Sequence, residues 1–220
     1  MSDTMGKMDI WNAVSKTDPK HTKKVSFGRK FTAIDAHYQV MKATEQFGPV
    51  GEGWGYNVEH HILDPMPNGC VLAVADVWVW HYTRDNSFGP FRGMAEIITV
   101  KAPDRIDTDA SKKAMTDALT KGLSHLGFSA DVFLGLFDDN KYVQQREQEE
   151  NQASVRDRDI DWSNQCITKM VQAEDLKRLS EMWAKLQPHL EGRHIDAIAA
   201  LENSFTKLKR KFDSATEAKK

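Results

Sequence analysis

Apolar and polar positions separate most clearly over residues 109–127, where they follow the period of a helix. One side of this predicted helix is apolar or small: Ala114, Met115, Ala118, Leu119, Gly122, Leu123 and Leu126. The other side is polar: Lys112, Lys113, Thr116, Thr120, Lys121 and Ser124. Small side chains on the packing side would let the helix lie close to a sheet, and Gly127 is expected to end it. One face therefore packs, and the other is able to meet an anion.

One helix and three strands are predicted before this segment. The helix covers residues 34–47 and is stopped by Gly48 and Pro49. The links between the strands have turn compositions, at Asp64-Pro65, Asn68-Gly69 and residues 86–90. The predicted strands cover residues 54–63, 71–82 and 91–101.

The middle strand is apolar on both faces, so it must be covered on both sides. The helical layer supplies one cover. The other is a further part of the chain or a neighbouring subunit, which makes self-association a natural hypothesis. The pattern predicts an α+β fold with an antiparallel β-β-β-α core, in which a three-stranded sheet packs on helices.

The rest of the chain divides by composition. Residues 1–30 are polar and basic and predict an N-terminal arm, followed by a core domain over residues 31–142. Residues 143–162 lack apolar periodicity, which indicates a linker or a solvated helix extension. Residues 163–220 predict a C-terminal helical region. Its two helices, over residues 167–186 and 195–212, are expected to form a hairpin.

Composition limits the function classes. The chain has 220 residues, 40% of them hydrophobic, which is enough for one domain and an appendage. The net charge of −2 hides basic ends around an acidic middle, so a nucleic-acid ligand requires the few central cations to gather in one groove. Cys70 and Cys166 match no metal or redox spacing, and no secretory or membrane-spanning segment is evident. A reduced, cytosolic protein without a membrane partner is expected.

Several motifs argue against cofactor chemistry. Gly51, Gly53 and Gly55 follow a helix and precede a strand, the reverse of the order that a dinucleotide loop requires. No Walker A sequence occurs, which argues against an ATP-driven motor. His60 and His61 point to opposite faces of a strand and cannot chelate one metal together. We expect no cofactor and no structural metal.

One pattern on the predicted strands points to nucleic acid. Strand aromatics such as Tyr56 and Phe91 lie near Arg84, Arg92 and Lys101 in sequence, and an aromatic, cationic groove binds single strands. Trp78 and Trp80 are better interpreted as core or subunit interface.

An alternative is offered by Asp104, Asp107 and Asp109, which would suit a metal-dependent nuclease. Because helix starts attract aspartates for capping and dipole reasons, we favour a capping role for this cluster.

The order of elements resembles that of the single-strand annealing proteins: the phage Erf, Sak and RecT group and, more closely, the eukaryotic repair protein Rad-fifty-two. The resemblance covers about residues 17–142 and includes a Thr17-Asp18-Pro19 start. Its further motifs are Phe47-Gly48, Gly53-Trp54, Thr116 to Leu119, Gly127, and Asp139 to Tyr142.

The resemblance implies ATP-independent binding of single-stranded DNA and annealing of complementary strands in phage recombination and repair, without enzymatic activity. It implies a ring or helical homo-oligomer with DNA in an outer groove. Lys112 and Lys121 fall where the family places groove cations, and Lys101 falls near a second, outer DNA contact. Lys113 is added to the candidate DNA-binding residues because it is positively charged and adjacent to Lys112.

The chain also departs from the family. Tyr38 stands where the repair protein has an arginine, and we expect it to stack on DNA. Arg29 and Lys30 of the basic arm are expected to add charge. The candidate DNA-binding residues are thus Arg29, Lys30, Tyr38, Arg84, Arg92, Lys101, Lys112, Lys113, Thr116 and Lys121. The C-terminal region is a hypothetical recruitment module for the host single-strand binding protein or a phage exonuclease.

Overall fold

The structure is a computed structural model that describes residues 6–26, 31–66, 68–99 and 102–217, with the backbone alone at residues 59–65, 99, 102–105 and 215–217. The chain forms two compact units, Met1–Arg146 and Glu147–Lys220, called unit 1 and unit 2 below. None of the helices in the described ranges is both long and apolar enough to cross a bilayer.

Unit 1 is an α+β unit, as predicted. Its helices are α1 (Asp9–Val14), α2 (Ala36–Phe47), α3 (Ala110–His125), α4 (Ala130–Phe133) and the start of α5 (Asn140–Val171). Its strands are β1 (Thr22–Val25), β2 (Phe31–Ile34), β3 (Trp54–Pro65), β4 (Val71–His81), β5 (Thr83–Thr99) and β6 (Ala102–Ile106). β1 pairs with β2, and the other four form an antiparallel sheet in the order β3-β4-β5-β6.

The sheet differs from the prediction in two ways. Residues 86–90, predicted as a turn, lie inside β5, which starts at Thr83. A short fourth strand, β6, pairs with the end of β5 just before α3. The predicted β-β-β-α core is therefore present with one added edge strand.

The helix α3 packs directly on β4 and β5. Ala114, Ala118 and Gly122 are buried on its packing side, as the sequence predicted. The closest approach is at Gly93 in β5, where a Cβ atom would lie 1.9 Å from the carbonyl oxygen of Ala114. Only a glycine fits at this point, and the small side chains of α3 bring the two backbones together.

The opposite face of β4 carries a buried charge. Asp76 is 7% exposed, and its carboxylate accepts two hydrogen bonds from the guanidinium of Arg92 on β5, at 2.8 and 2.6 Å. Val74 and Trp80 on this face are buried, while Met94 of β5 is 55% exposed. This face is thus mixed, unlike the apolar face under α3.

The N-terminal segment, predicted as an arm, packs into unit 1 over its described residues. Val14 belongs to the main core. The backbone N–H and the hydroxyl of Thr17 donate to the buried carboxylate of Asp131, at 2.8 and 2.6 Å. The hydroxyl of Tyr142 donates to the same carboxylate at 2.9 Å. Two of the motifs that carried the resemblance, at the two ends of unit 1, therefore meet at one buried group.

Unit 2 is helical. It contains the rest of α5, α6 (Leu176–Leu186) and α7 (Ile195–Glu217). Residues 143–162, predicted as a linker or a helix extension, are helical within α5. The helix predicted over residues 167–186 is interrupted, because α5 ends at Val171 and Asp175 caps α6 by accepting a 2.6 Å hydrogen bond from the N–H of Arg178. Three helices share the core residues Cys166, Met170, Leu179 and Leu201.

Candidate nucleic-acid interface

The exposed face of α3 lies between two lysines. Lys112 and Lys121 are both exposed and are nine residues apart, which places them roughly 180° apart around the helix axis. Between them lie Thr116, Thr120 and Ser124, whose hydroxyls donate to backbone carbonyls of the same helix. The two predicted groove cations therefore flank a polar face on opposite edges and do not form one row.

Among the described candidate residues, Lys112 has the side chain with the fewest polar contacts. Its side chain is exposed and makes no ion pair or hydrogen bond within the described part of the chain. The hydroxyl of Thr116 donates to the carbonyl oxygen of Lys112 at 2.8 Å, so that Thr116 contributes little donor capacity to a ligand. Lys112 can meet a phosphate without breaking an existing contact.

Lys121 and Lys113 are engaged with carboxylates. The ammonium of Lys121 donates to Asp117 at 2.7 Å and to the carbonyl oxygen of Arg92 at 3.0 Å. The ammonium of Lys113 is paired with Asp107. A phosphate must compete with these surface pairs, which are typically weak.

The predicted arginines also have structural contacts. Arg92 neutralises the buried Asp76. Arg84 is exposed, with its Cζ atom 5.0 Å from the centroid of the Trp80 ring, a cation–π arrangement. Arg84 is therefore better placed than Arg92 to contact a ligand.

Tyr38 is buried at 7% exposure, and its ring stacks on His21 with centroids 4.5 Å apart. Its hydroxyl accepts a hydrogen bond from the N–H of Asp18 at 3.0 Å. Because His21 covers its ring, we leave Tyr38 out of the proposed DNA contacts. Three other predicted contacts, Arg29, Lys30 and Lys101, lie outside the described residues.

The aspartates before α3 act locally. Asp107 accepts a 3.0 Å hydrogen bond from the N–H of Asp109 and pairs with Lys113. The side chain of Asp104, on β6, is outside the described set. Among the described side chains, no group of three or more His, Cys, Asp or Glu is arranged to hold a metal ion.

Sequence reasoning missed a row of rings that we call the aromatic strip, in the order Tyr82, His81, Phe88, Phe91 and His125. Successive ring centroids lie 5.1, 6.0, 5.7 and 4.8 Å apart along this row. The rings come from β4, the turn after it, β5 and α3, so no spacing along the chain marks them. Burial lowers the pKa of His81, which keeps its ring neutral at neutral pH.

No protein-family model matches this chain, and no curated protein matches it. The features of the chain that bear on its function are the geometry of α3, the aromatic strip and the ordered motifs.

Proposed function

We propose that this protein binds single-stranded DNA and anneals complementary strands without ATP, in phage recombination and repair in the bacterial cytosol. It would act as a homo-oligomer, a ring or a filament, and not as an enzyme. DNA would be held by its phosphates, mainly at α3, while its bases pair with the incoming strand.

The observation that carries the proposal is the exposed polar face of α3 between Lys112 and Lys121. This face is held rigidly on the sheet by the close approach at Gly93. The ammonium of Lys112 makes no ion pair or hydrogen bond within the described residues, and that of Lys121 is held by the exposed carboxylate of Asp117 and the carbonyl oxygen of Arg92. Such a face suits a ligand that is anionic, extended and read without base specificity.

The test is a double substitution, Lys112→Ala with Lys121→Ala. On single strands, each neutralised phosphate contributes a slope of about 0.7 to the dependence of log K on log salt. We expect the double variant to lower this slope by about 1.4 and to slow annealing strongly. Fluorescence anisotropy at several salt concentrations measures the first effect, and strand-pairing kinetics measure the second.

The matched control removes two exposed lysines from unit 2, Lys177→Ala with Lys185→Ala. It changes the net charge equally and should keep the wild-type slope. A wild-type slope and annealing rate in the α3 variant would refute the site, and negative-stain imaging with and without single-stranded DNA tests the oligomer.

Unit 2 is proposed to recruit a partner, the host single-strand binding protein or a phage exonuclease. A groove of about 520 Å³ lies between the end of α5 and α7. Its lining includes the apolar side chains of Val171, which is 61% exposed, and Leu208. Lys207 and Lys211 line it and make no ion pair within the described residues. An acidic segment with an apolar side chain would complement this groove.

Reversing both groove charges, Lys207→Glu with Lys211→Glu, should lower recombination in cells while annealing in vitro stays unchanged. The control reverses Lys177 and Lys185 on α6. Loss of annealing in vitro would instead indicate that unit 2 is part of the annealing machinery.

No described contact favours the nuclease alternative, because Asp107 accepts a hydrogen bond from the N–H of Asp109 and pairs with Lys113 just before and within α3. Asp109 is the N-cap residue of α3, but its side chain makes no capping hydrogen bond. That alternative predicts magnesium-dependent loss of DNA, abolished by Asp107→Ala. Intact DNA after incubation with magnesium or manganese would remove it.

A further inference from the structure

We propose that the aromatic strip binds the nucleobases of single-stranded DNA by stacking, with Tyr82 as the main contact. This inference rests on the proposed function and deepens it, because it assigns the bases a site of their own. The phosphates would be held by the lysines of α3.

The strip reaches solvent at both ends. Tyr82 is 46% exposed and His125 is exposed, whereas His81, Phe88 and Phe91 between them are half-buried. Aromatic faces accept any base, since every base has a π-face. In duplex DNA the faces of the bases are covered by neighbouring bases, so the strip would select single strands.

Tyr82 is held in an unusual conformation. Its φ of +62° lies in the left-handed region, which a bulky residue adopts only with backbone strain. The turn fixes it there, because the N–H of Tyr82 donates to the carbonyl oxygen of Gly53 at 2.8 Å. The ring packs edge-on against Phe47, with centroids 5.2 Å apart. A glycine would suit this backbone better, so the exposed, pre-ordered ring points to a use for its side chain.

The strip ends beside a cation of the proposed DNA face. Lys121 precedes His125 by one turn of α3, and it reaches the carbonyl oxygen of Arg92, the neighbour of Phe91. A phosphate at Lys121 would therefore place its base near His125, and the bases of neighbouring nucleotides would follow the strip towards Tyr82 at its other end. Stacking holds a base by its face and leaves the Watson–Crick edge open, which is what annealing requires.

The test compares an oligothymidylate with an abasic oligonucleotide of equal length, using fluorescence anisotropy. The wild-type protein should bind the oligothymidylate at least about tenfold more tightly, since stacking on aromatic side chains favours each bound base. Tyr82→Ala should lose most of this preference and keep the affinity for the abasic strand. Tyr82→Phe should keep both.

Two controls separate stacking from misfolding. Tyr82→Gly relieves the backbone strain but loses the packing of the ring on Phe47, so we expect a folded protein that still loses the preference. Phe133→Ala removes another exposed ring, on α4, and should bind as the wild type does.

Each further outcome has a distinct meaning. Equal wild-type affinity for the two oligonucleotides would overturn the strip as a base site and leave the proposed function standing. A Tyr82→Ala variant that keeps the full preference would likewise refute the assignment to Tyr82. Failure to bind either strand would overturn the proposed function and this inference together.

Discussion

Unit 1 and unit 2 are stabilised in different ways. In unit 1 the contact of α3 with the sheet is steric, because the backbone of β5 at Gly93 touches the backbone of α3. In unit 2 the helices meet through side chains around a buried charge, whereas the buried Asp76 of unit 1 lies on the sheet face away from α3. Asp159 is 1% exposed, and its carboxylate accepts hydrogen bonds from the guanidinium of Arg193 and the N–H of His194, each at 2.8 Å.

This difference predicts which changes should lower the stability of each unit. Unit 1 should not tolerate added volume where α3 meets β5, whereas the ion pairs on its α3 face are exposed and should matter little for folding. Unit 2 should depend on the ionisation of one carboxylate. The following substitutions test this contrast.

The largest effect is expected from Gly93→Ala. The added Cβ would lie 1.9 Å from the oxygen of Ala114 and 2.5 Å from the nitrogen of Ala118, so helix and strand must separate. We expect a loss of about 3 kcal/mol or more in the free energy of unfolding, measured by urea denaturation. The control Met94→Ala, at an exposed neighbouring position, should stay within about 0.5 kcal/mol. An unchanged urea midpoint for Gly93→Ala would contradict the steric account.

An intermediate effect is expected from Asp159→Asn. Hydrogen bonds from Arg193 and His194 hold the pKa of the Asp159 carboxyl below its ordinary value of 3.8. The charged form therefore stabilises unit 2 above that pH, and this stabilisation is lost as the pH falls through the lower folded-state pKa.

The variant should accordingly melt at a lower temperature than the wild type at neutral pH, with a gap that closes as the pH falls below 3.8. Circular dichroism melts across a pH series measure the gap. The control is Asp161→Asn, exposed on the same helix. A gap that does not change with pH would show that the role of Asp159 is not electrostatic.

The smallest effect on folding is expected from Asp117→Ala. Its pair with Lys121 is an exposed (i, i+4) pair, worth about 0.5 kcal/mol or less to stability. Releasing Lys121 should instead strengthen binding of single-stranded DNA at low salt, by about two- to fivefold. Glu52→Ala, which removes an exposed carboxylate from a turn, is the control. Weaker DNA binding by the Asp117 variant would argue that Lys121 needs its partner to be positioned.

Local signals explain what was predicted correctly from the sequence. The packing side of α3 was predicted because Ala114, Ala118 and Gly122 recur at helical spacing, which depends only on nearby residues. The turn at Asn68-Gly69 was confirmed by the positive φ of Gly69, for the same reason.

The remaining features depend on contacts between distant segments. The pair of Asp76 and Arg92 follows from strand register, and from the sequence alone Arg92 was predicted as a DNA-binding residue. Burial of Tyr38 depends on His21, which arrives from a separate segment. The aromatic strip joins three elements, so no window of sequence contains it.

The hydrogen bonds between Thr17 and Asp131 also limit when unit 1 can fold during synthesis. The two residues are 114 positions apart, and Tyr142, which binds the same carboxylate, follows later still. At about 5–20 residues per second, a ribosome needs about 6 to 23 seconds to make the intervening chain. During that interval the first segment of the nascent chain has no native partner at Asp131. Unit 1 can therefore complete its native contacts only after nearly all of it has been translated.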